Sequence, residues 1–381
     1  MINDAAYWIA LAHLPQWKHA RVNELIIKSF HEQKLSLEDF FNLPENEWKI
    51  LYDLNEKEIN DLKSARSNVP NNSFLAESLL NEGYEIIPLI DPEYSKTLKE
   101  NLKAQYSPAV LYIKGNKQIM KERSIAIVGS RNASDISLQF TDNIARLASK
   151  DYKVVVSGFA KGVDKQALDS AIKYKGQSII VLPQGIMTFG SGYKTYYRQI
   201  VDGDVLVLST FFPKAPWRTE LAMARNPIIY GLASEIFVAE SSDKGGTWSG
   251  VTDGLRKKRI IFVRNPENHE RNANMQLIQK GGIAVDFDGN KMSMGYSKPD
   301  IGTQLGLVEE PVLSLDIKIK SLLENKSLTA KDIMLNLETN LTQAKLTSYL
   351  KKLDFIQVIR NGKTNLFKLK TSAENEELTL F

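Results

Sequence analysis

The fold is decided by two stretches, Ser124-Ile-Ala-Ile-Val-Gly-Ser-Arg131 and Val154-Val-Val-Ser-Gly-Phe-Ala-Lys-Gly-Val-Asp164. Each is a short apolar run that stops at glycine and is followed by a segment with helical spacing of its apolar residues. Runs rich in Val and Ile with little alternation are typical of parallel strands buried on both faces. The two stretches therefore predict neighbouring strands whose carboxyl ends open onto small loops, which is where open α/β sheets bind ligands.

Strands and helical patterns alternate from residue 124 onward, as in a Rossmann-like layered fold. We predict a mixed α/β chain with a mostly parallel sheet as its core, flanked by a helical N-terminal domain and a C-terminal winged helix. The predicted strands of the core are Ile125–Val128, Val154–Ser157, Ser178–Leu182, Val205–Leu208, Glu235–Ala239, Arg259–Val263 and Ile283–Asp286.

Changes in composition divide the chain into five regions. A polar cluster at residues 68–72, Asn-Val-Pro-Asn-Asn, reads as a linker after the first region. The last region is acidic and predicted to be a disordered tail. The regions are a helical domain of the SAM or helix-hairpin-helix type (1–70), an extended Rossmann-like domain (84–288), a linker (289–310), a winged helix (311–370) and the tail (371–381).

Composition excludes several classes of site. The 381 residues contain no cysteine and four histidines, so disulfides, thiolate metal sites and cysteine nucleophiles are excluded and a zinc site is not expected. No apolar segment approaches the length of a membrane span, and no export signal begins the chain, so we expect a cytoplasmic protein without a membrane partner. The formal net charge of +4 is compatible with a polyanionic partner but does not by itself indicate one.

The two strand ends carry the residues of an anion site. Arg131 follows the first strand, and its planar guanidinium suits bidentate contact with a phosphate. Lys161 lies among the bare amides of the second loop. Ser130 either donates to the ligand or caps the coming helix, and Asp164 is expected to cap the helix that begins after the second loop. The predicted phosphate-binding set at these two loops is Gly129, Ser130, Arg131, Ser157, Gly158, Lys161 and Gly162.

The order and spacing of several motifs resemble the bacterial DNA-processing protein A family, also called DprA/Smf. The resemblance covers nearly the whole chain, and its most specific part is the pairing of Gly-Ser-Arg with Ser-Gly-x-Ala-x-Gly-x-Asp. The matching segments are Asp91–Tyr94, Pro108–Gly115, Gly129–Arg131, Ser157–Asp164, Ile180–Leu182, Ala224–Asn226, Gly231–Leu232 and Asn274–Gly282.

The resemblance implies a protein that binds single-stranded DNA, forms a homodimer through its central domain and helps to load a RecA-type recombinase. It implies no catalytic turnover. We predict no catalytic residue, no cofactor and no metal site. The chain departs from the family pattern at several places and is identified as a divergent member. Pro227 stands where a second arginine is usual, and residues 244–250, 264–265 and 208–213 also differ from the family's segments.

Two further segments are candidates for the same site. Arg225 completes the basic pocket or braces the structure, and Asn226 contacts a loop or a base edge. The Lys244-Gly-Gly-Thr-Trp-Ser-Gly250 segment contains a second phosphate-loop candidate, formed by Gly245, Gly246 and Thr247.

Two other functions remain open on the sequence. In one of them, the same core belongs to a nucleotide sensor or to an enzyme that cleaves nucleoside monophosphates. Cleavage would need a carboxylate near the ribose. The available carboxylates are those of Asp164, Glu240 and Asp243. In a third reading, the winged helix reads duplex DNA as a regulator.

Overall fold

A mostly parallel sheet forms the centre of the first part of the chain. The computed structural model describes residues 2–267, 269–292, 315–324, 326–337, 343–351, 353, 355–361 and 364–369. Within these ranges, nine strands join in the order β1-β2-β6-β5-β4-β3-β7-β8-β9. They are β1 Glu85–Pro88, β2 Val110–Lys114, β3 Ser124–Gly129, β4 Val154–Ser157, β5 Ser178–Val181, β6 Val205–Ser209, β7 Glu235–Glu240, β8 Ile261–Arg264 and β9 Ile283–Val285.

The seven strands β3 to β9 are parallel to one another. Strand β2 pairs antiparallel with β6, and β1 pairs antiparallel with β2. Every residue of β4, β5 and β6 is buried, as the unalternated apolar runs predict. The prediction of an α/β fold with a mostly parallel sheet is confirmed.

Helices cover both faces of this sheet and precede it in the chain. A π-helical turn extends α2 over Lys28–Glu32. The helices are α1 Ile2–Ala12, α2 His19–Ile27, α3 Leu37–Asn42, α4 Glu45–Tyr52, α5 Glu56–Ser67, α6 Val69–Asn81, α7 Lys96–Leu102, α8 Asp135–Lys150, α9 Val163–Lys173, α10 Gly190–Thr195, α11 Tyr197–Val201, α12 Thr219–Leu232, α13 Gly246–Arg256 and α14 Asn274–Gln279.

The order of the strands places a topological switch between β3 and β7. From β3 the chain builds β4, β5 and β6 on one side, then crosses back to add β7, β8 and β9 on the other. Loops leaving the carboxyl ends of β3 and β7 therefore diverge, and the crevice between them is where such sheets bind ligands.

The predicted linker at residues 68–72 is wrong. Asn68 ends α5, and α6 begins immediately at Val69. Pro70 lies in the first turn of α6, where its missing N–H has no intrahelical acceptor to lose. Leu75 and Leu79 of α6 are buried in the hydrophobic core, so tertiary packing outweighs the turn-like composition of the segment.

The N-terminal helices share a hydrophobic core with the sheet. The buried Asn23 side chain donates from Nδ2 to the carbonyl oxygens of Ala104 and Ser107, both at 2.8 Å. His13 at the end of α1 lies 2.9 Å from the Tyr112 hydroxyl on β2. The chain divides into two compact units, one up to residue 296 and one from residue 297. A separate helical domain ending near residue 70 stays a prediction.

Burial of His13 makes stability depend on pH. Burial lowers the pKa of His13 to about 4, from about 6.5 in an unfolded chain. The unfolded state therefore binds more protons between these values, so stability falls as the pH drops from about 6.5 towards 4. We expect a loss of about 2 kcal/mol in the free energy of unfolding between about pH 6.5 and 5, measured by urea denaturation.

The control for this expectation is His13→Phe, which keeps an aromatic ring against Tyr112 and removes the titrating group. Its unfolding free energy should change less over the same pH interval. An equal pH dependence in the variant and the wild type would contradict the assignment.

The second unit contains three helices and a small antiparallel sheet among its described residues. The sheet order is β10-β12-β11, and buried Ile333, Leu346 and Phe367 join the helices to it. The elements are α15 Leu315–Leu323, β10 Leu328–Thr329, α16 Ala330–Leu337, α17 Gln343–Leu350, β11 Ile356–Asn361 and β12 Thr364–Leu369.

These elements lie within the region 311–370 that the sequence predicts as a winged helix, and the assignment of the unit as a winged helix stays a prediction. The tail at 371–381 and the linker beyond residue 292 lie outside the described residues. Among the helices described, none combines the length and the apolar character needed to cross a bilayer.

Candidate functional site

Two adjoining cavities lie at the carboxyl ends of the central strands. The first, of about 420 Å³, is lined by the loops after β3 and β7 and by α12. The second, of about 370 Å³, is lined by the loops after β4, β5 and β6. We call the two together the switch-point groove. Their shared lining residues are Arg131, Ala160, Ala222 and Arg225.

The loop after β3 presents an unpaired arginine to the groove. Ser130 donates its N–H to the Glu240 carbonyl at 2.9 Å, and its Oγ accepts the N–H of Asn132 at 3.1 Å. The Ser130 hydroxyl therefore shapes the turn. Because Ser134 is the N-cap residue of α8, Ser130 does not cap this helix, which was one of the two roles left open by the sequence. The next side chain, Arg131, is exposed and forms no hydrogen bond or ion pair with the residues that the structure describes.

The loop after β4 is held against the first loop by a glycine. Gly162 has a φ of +85°, and a Cβ there would lie 2.4 Å from the Ser130 carbonyl oxygen. Only glycine combines this φ with so close an approach of two backbones. The exposed Lys161 stands beside it, also without a bonded partner in the described part of the chain.

Ser157 serves the sheet and not the groove. The residue is buried, and its Oγ donates to the Ile127 carbonyl at 3.2 Å, which ties β4 to β3. The sequence could not separate this role from ligand contact, because a serine at a strand end suits both.

Buried charges fix the shape of the second loop. Arg225 on α12 is 4% exposed and donates through Nη1 to the carbonyls of Gly158 and Val181, the latter at 2.6 Å. The Asp164 carboxylate accepts the N–H groups of Gly158 and Ala160. Burial raises the pKa of Asp164, and the nearby Arg225 guanidinium opposes that rise.

Asp164 was expected to cap α9, and this is wrong. Gly162 is the N-cap residue of α9 and the helix has no side-chain cap, because the Asp164 carboxylate turns to the loop amides instead. Arg225 braces the same loop from the other side, which agrees with the structural one of its two sequence readings.

The third loop leads from β7 into α13. Gly245 has a φ of +90°, and α13 begins at Gly246, so its free N–H groups lie at the groove. The Thr247 hydroxyl donates to the Gly129 carbonyl at 3.0 Å, which joins this loop to β3. Asn226 donates from Nδ2 to the Gly246 carbonyl at 3.4 Å, so its amide contacts a loop.

The carboxylates needed for nucleotide cleavage are occupied or peripheral. Glu240 accepts hydrogen bonds from the Ser134 N–H at 2.9 Å, the Ser134 hydroxyl at 2.6 Å and the Ser137 hydroxyl at 2.8 Å. Asp164 is engaged by the loop amides, and Asp243 is exposed. Within the described ranges, no cluster of His, Asp or Glu side chains is arranged to hold a metal ion.

Sequence reasoning missed the aromatic wall of the second cavity. Phe159, Phe189 and Trp217 line it together with Lys161. They come from three separate loops, and only Phe159 lies inside a motif. The signal available in the sequence was a tryptophan directly after the proline-containing segment Pro213-Lys-Ala-Pro216, where a loop is expected, since tryptophan side chains are highly buried on average.

A family model and curated relatives identify the family of this chain. The family model described as DNA recombination-mediator protein A matches residues 85–293, more than half of the chain. The DNA processing protein DprA of Streptococcus pneumoniae is 30% identical over 158 residues, which cover 41% of this chain and 55% of that protein. The DNA processing protein DprA of Bacillus subtilis is 29% identical over 211 residues, covering 54% of this chain and 69% of that protein.

The fold is also shared with a solved structure. The X-ray structure of DNA processing protein A from Streptococcus pneumoniae superposes with a TM-score of 0.56 at 22% identity, covering 74% of this chain and 94% of that one. The likeness reaches well beyond the matched core, and the resemblance found in the sequence is confirmed. From the family match over residues 85–293, the chain belongs to the DNA recombination-mediator protein A family.

Proposed function

We propose that this protein binds single-stranded DNA along the switch-point groove and acts as a recombination mediator. The observation that carries the proposal is the pair of exposed cations, Arg131 and Lys161, which stand without bonded partners among the described residues at adjacent strand ends. The family to which the chain belongs supports DNA as the source of the bound phosphates.

The chemistry of the groove suits a phosphate backbone. Arg131 offers a planar fork of donors and Lys161 a compact charge, and the free N–H groups at the start of α13 add donors without a charge. Lys244 is a further exposed cation on the wall of the first cavity. Since most of the binding free energy comes from neutralised phosphates, affinity falls with added salt and depends little on sequence.

The wider role follows from the same proposal. The bound strand is delivered to a RecA-type recombinase in the cytoplasm, and a homodimer joins two grooves into a longer track. The chain acts by binding and not by catalysis. Support for this last point is the engagement of the Glu240 and Asp164 carboxylates in structural hydrogen bonds.

Substitution of the two cations tests the proposal. We expect Arg131→Ala and Lys161→Ala each to weaken binding of a single strand about tenfold, the effect of losing one charge-assisted hydrogen bond. Each should also reduce by about one the slope of log affinity against log salt. The measurement is fluorescence anisotropy with a labelled single strand at two or more salt concentrations.

The matched control is Lys150→Ala, which removes the same charge from the exposed end of α8 far from the carboxyl edge of the sheet. It should bind as the wild type does. Unchanged affinity in both groove variants would contradict the site. Preferred binding of the duplex would favour a duplex regulator, and tight binding of a nucleoside monophosphate would favour a nucleotide sensor.

A further inference from the structure

Trp217 is an exposed aromatic surface inside the second cavity of the switch-point groove. Its side chain is 52% exposed, whereas Trp8 and Trp48 are buried. An indole left half in water forfeits the free energy that its burial would contribute. A ligand in the cavity can therefore contact apolar indole surface that the described residues of the protein leave uncovered.

The loop that carries Trp217 is fixed by backbone hydrogen bonds. The Gly185 N–H donates to the Ala215 carbonyl at 2.9 Å, and the Met187 N–H donates to the Pro213 carbonyl at 3.0 Å. A Cβ at Gly185 would lie 2.3 Å from the Phe212 carbonyl oxygen, so glycine permits this close approach of the two loops. Trp217 lies two residues after Ala215, whose carbonyl accepts one of these hydrogen bonds, and two residues before the start of α12. Both neighbours restrict the movement of its backbone.

The backbone at Phe159, another lining residue of this cavity, is also held in place. Phe159 has a φ of +60°, a conformation that costs a bulky residue about 1–2 kcal/mol. Its ring packs edge-on against Phe189 at 5.0 Å and Tyr196 at 5.7 Å between centroids. This packing compensates the strained backbone that leads directly to Ala160 and Lys161. The same cavity is thus lined by packed aromatic rings and by the cations Arg131 and Lys161.

We propose that Trp217 is a base-stacking platform, on which a nucleobase of single-stranded DNA lies while Arg131 and Lys161 hold the neighbouring phosphates. The inference rests on the proposed function and adds a contact with the base to it. Every base has a π-face, so stacking of this kind tolerates any sequence.

The polar rim of the cavity supports a sequence-tolerant site. The Gln184 amide donates to the Thr188 carbonyl at 2.8 Å and to its hydroxyl at 2.9 Å. The Thr188 hydroxyl in turn donates to the Gly185 carbonyl at 2.8 Å. These donors are already satisfied within the protein, so the rim offers few hydrogen bonds that would discriminate between base edges.

Binding of two strands by the full-length protein tests the proposal. One is an oligothymidine of about 20 nucleotides, and the other is an abasic strand of the same length, which keeps the phosphates and lacks the bases. Trp217→Ala should weaken binding of the oligothymidine about 5- to 100-fold, the effect of losing one stacked base. It should leave binding of the abasic strand and the salt slope unchanged.

Two further variants sharpen the test. Trp217→Phe keeps a stacking ring and should restore most of the affinity, and it should also lose most of the tryptophan fluorescence quenching that the wild type shows on binding. Phe74→Ala is the matched control, since Phe74 is an exposed aromatic on α6 that lines neither cavity of the groove. It should bind both strands as the wild type does.

The outcomes separate the two levels of inference. A wild-type protein that binds neither strand contradicts the proposed function, and the stacking role is overturned with it. A wild-type protein that binds the oligothymidine while Trp217→Ala binds it equally well overturns the stacking role alone. An equal loss on both strands also overturns it, because the tryptophan would then act on the phosphate site and not on a base.

Discussion

Replacing Glu270 by alanine is expected to lower the free energy of unfolding by about 3–5 kcal/mol, because it leaves a buried arginine without its counter-charge. Arg264 at the end of β8 is 2% exposed and donates two hydrogen bonds to the Glu270 carboxylate, one of them at 2.7 Å. Unfolding in urea, followed by circular dichroism, measures the change.

The same pair makes stability depend on pH in the acid range. The Arg264 guanidinium lowers the pKa of Glu270 below its ordinary value of about 4.3. A carboxyl group whose folded pKa is lowered contributes stability above its unfolded pKa, and the contribution is lost as the pH falls through the folded pKa. Glu270→Gln keeps the size of the side chain and should remove this part of the acid dependence.

A surface pair provides the control. Lys117 and Glu85 form an ion pair at 2.7 Å, but both side chains are about one-third or more exposed. Exposed pairs contribute about 0–1 kcal/mol, so Glu85→Ala should cost no more than that. A loss below about 1 kcal/mol in Glu270→Ala as well would show that Arg264 does not depend on its partner.

The Arg264 pair also reaches the switch-point groove. Arg264 donates to the Ala239 carbonyl and to the Ser137 hydroxyl, both at 3.0 Å, and so fixes the end of β7. The loop to Gly245 and α13 leaves from this point. We therefore expect Glu270→Ala to weaken single-strand binding under conditions in which the variant is still folded.

Gly162→Ala is expected to cost about 3 kcal/mol or more of stability, because backbone strain and a steric clash act together. The φ of +85° disfavours any residue with a Cβ, and that atom would meet the carbonyl oxygens of Ser130 and Arg131 at 2.4 and 2.6 Å. The loops after β3 and β4 must then separate, so Arg131 and Lys161 move apart and single-strand affinity falls with stability. Chemical denaturation and anisotropy on the same samples measure both effects.

Two other glycines isolate the causes. Gly245 has a φ of +90° but open space around the position of a Cβ, so Gly245→Ala reports strain alone and should cost about 1 kcal/mol. Gly190 has open space and no positive φ, so Gly190→Ala in α10 should change stability little or increase it. A Gly162→Ala variant no less stable than Gly245→Ala would contradict the close approach of the two loops.

Local patterns in the sequence were sufficient for the strands. Val154–Ser157 was predicted with its observed bounds, and the runs around Ile125, Ser178 and Val205 were predicted to within a residue at each end. A strand that is buried on both faces consists of consecutive apolar residues, so it can be predicted from the sequence alone. The turn-like composition of residues 68–72 led to the wrong prediction of a linker. The helix there is stabilised by packing of later residues of α6, which its first residues do not indicate.

The sequence by itself determined the α/β class, the family and the strand-end loops that carry Arg131 and Lys161, because each depends on residues close together in the chain. Only the tertiary structure decided which side chains are free for a ligand. Arg225, Ser157 and Thr247 bind carbonyl groups from distant segments, whereas Trp217 meets the groove from another loop. The hydrogen-bond partners and the exposure of these side chains depend on segments that are distant in the sequence and adjacent in the fold. A local sequence pattern therefore cannot predict them.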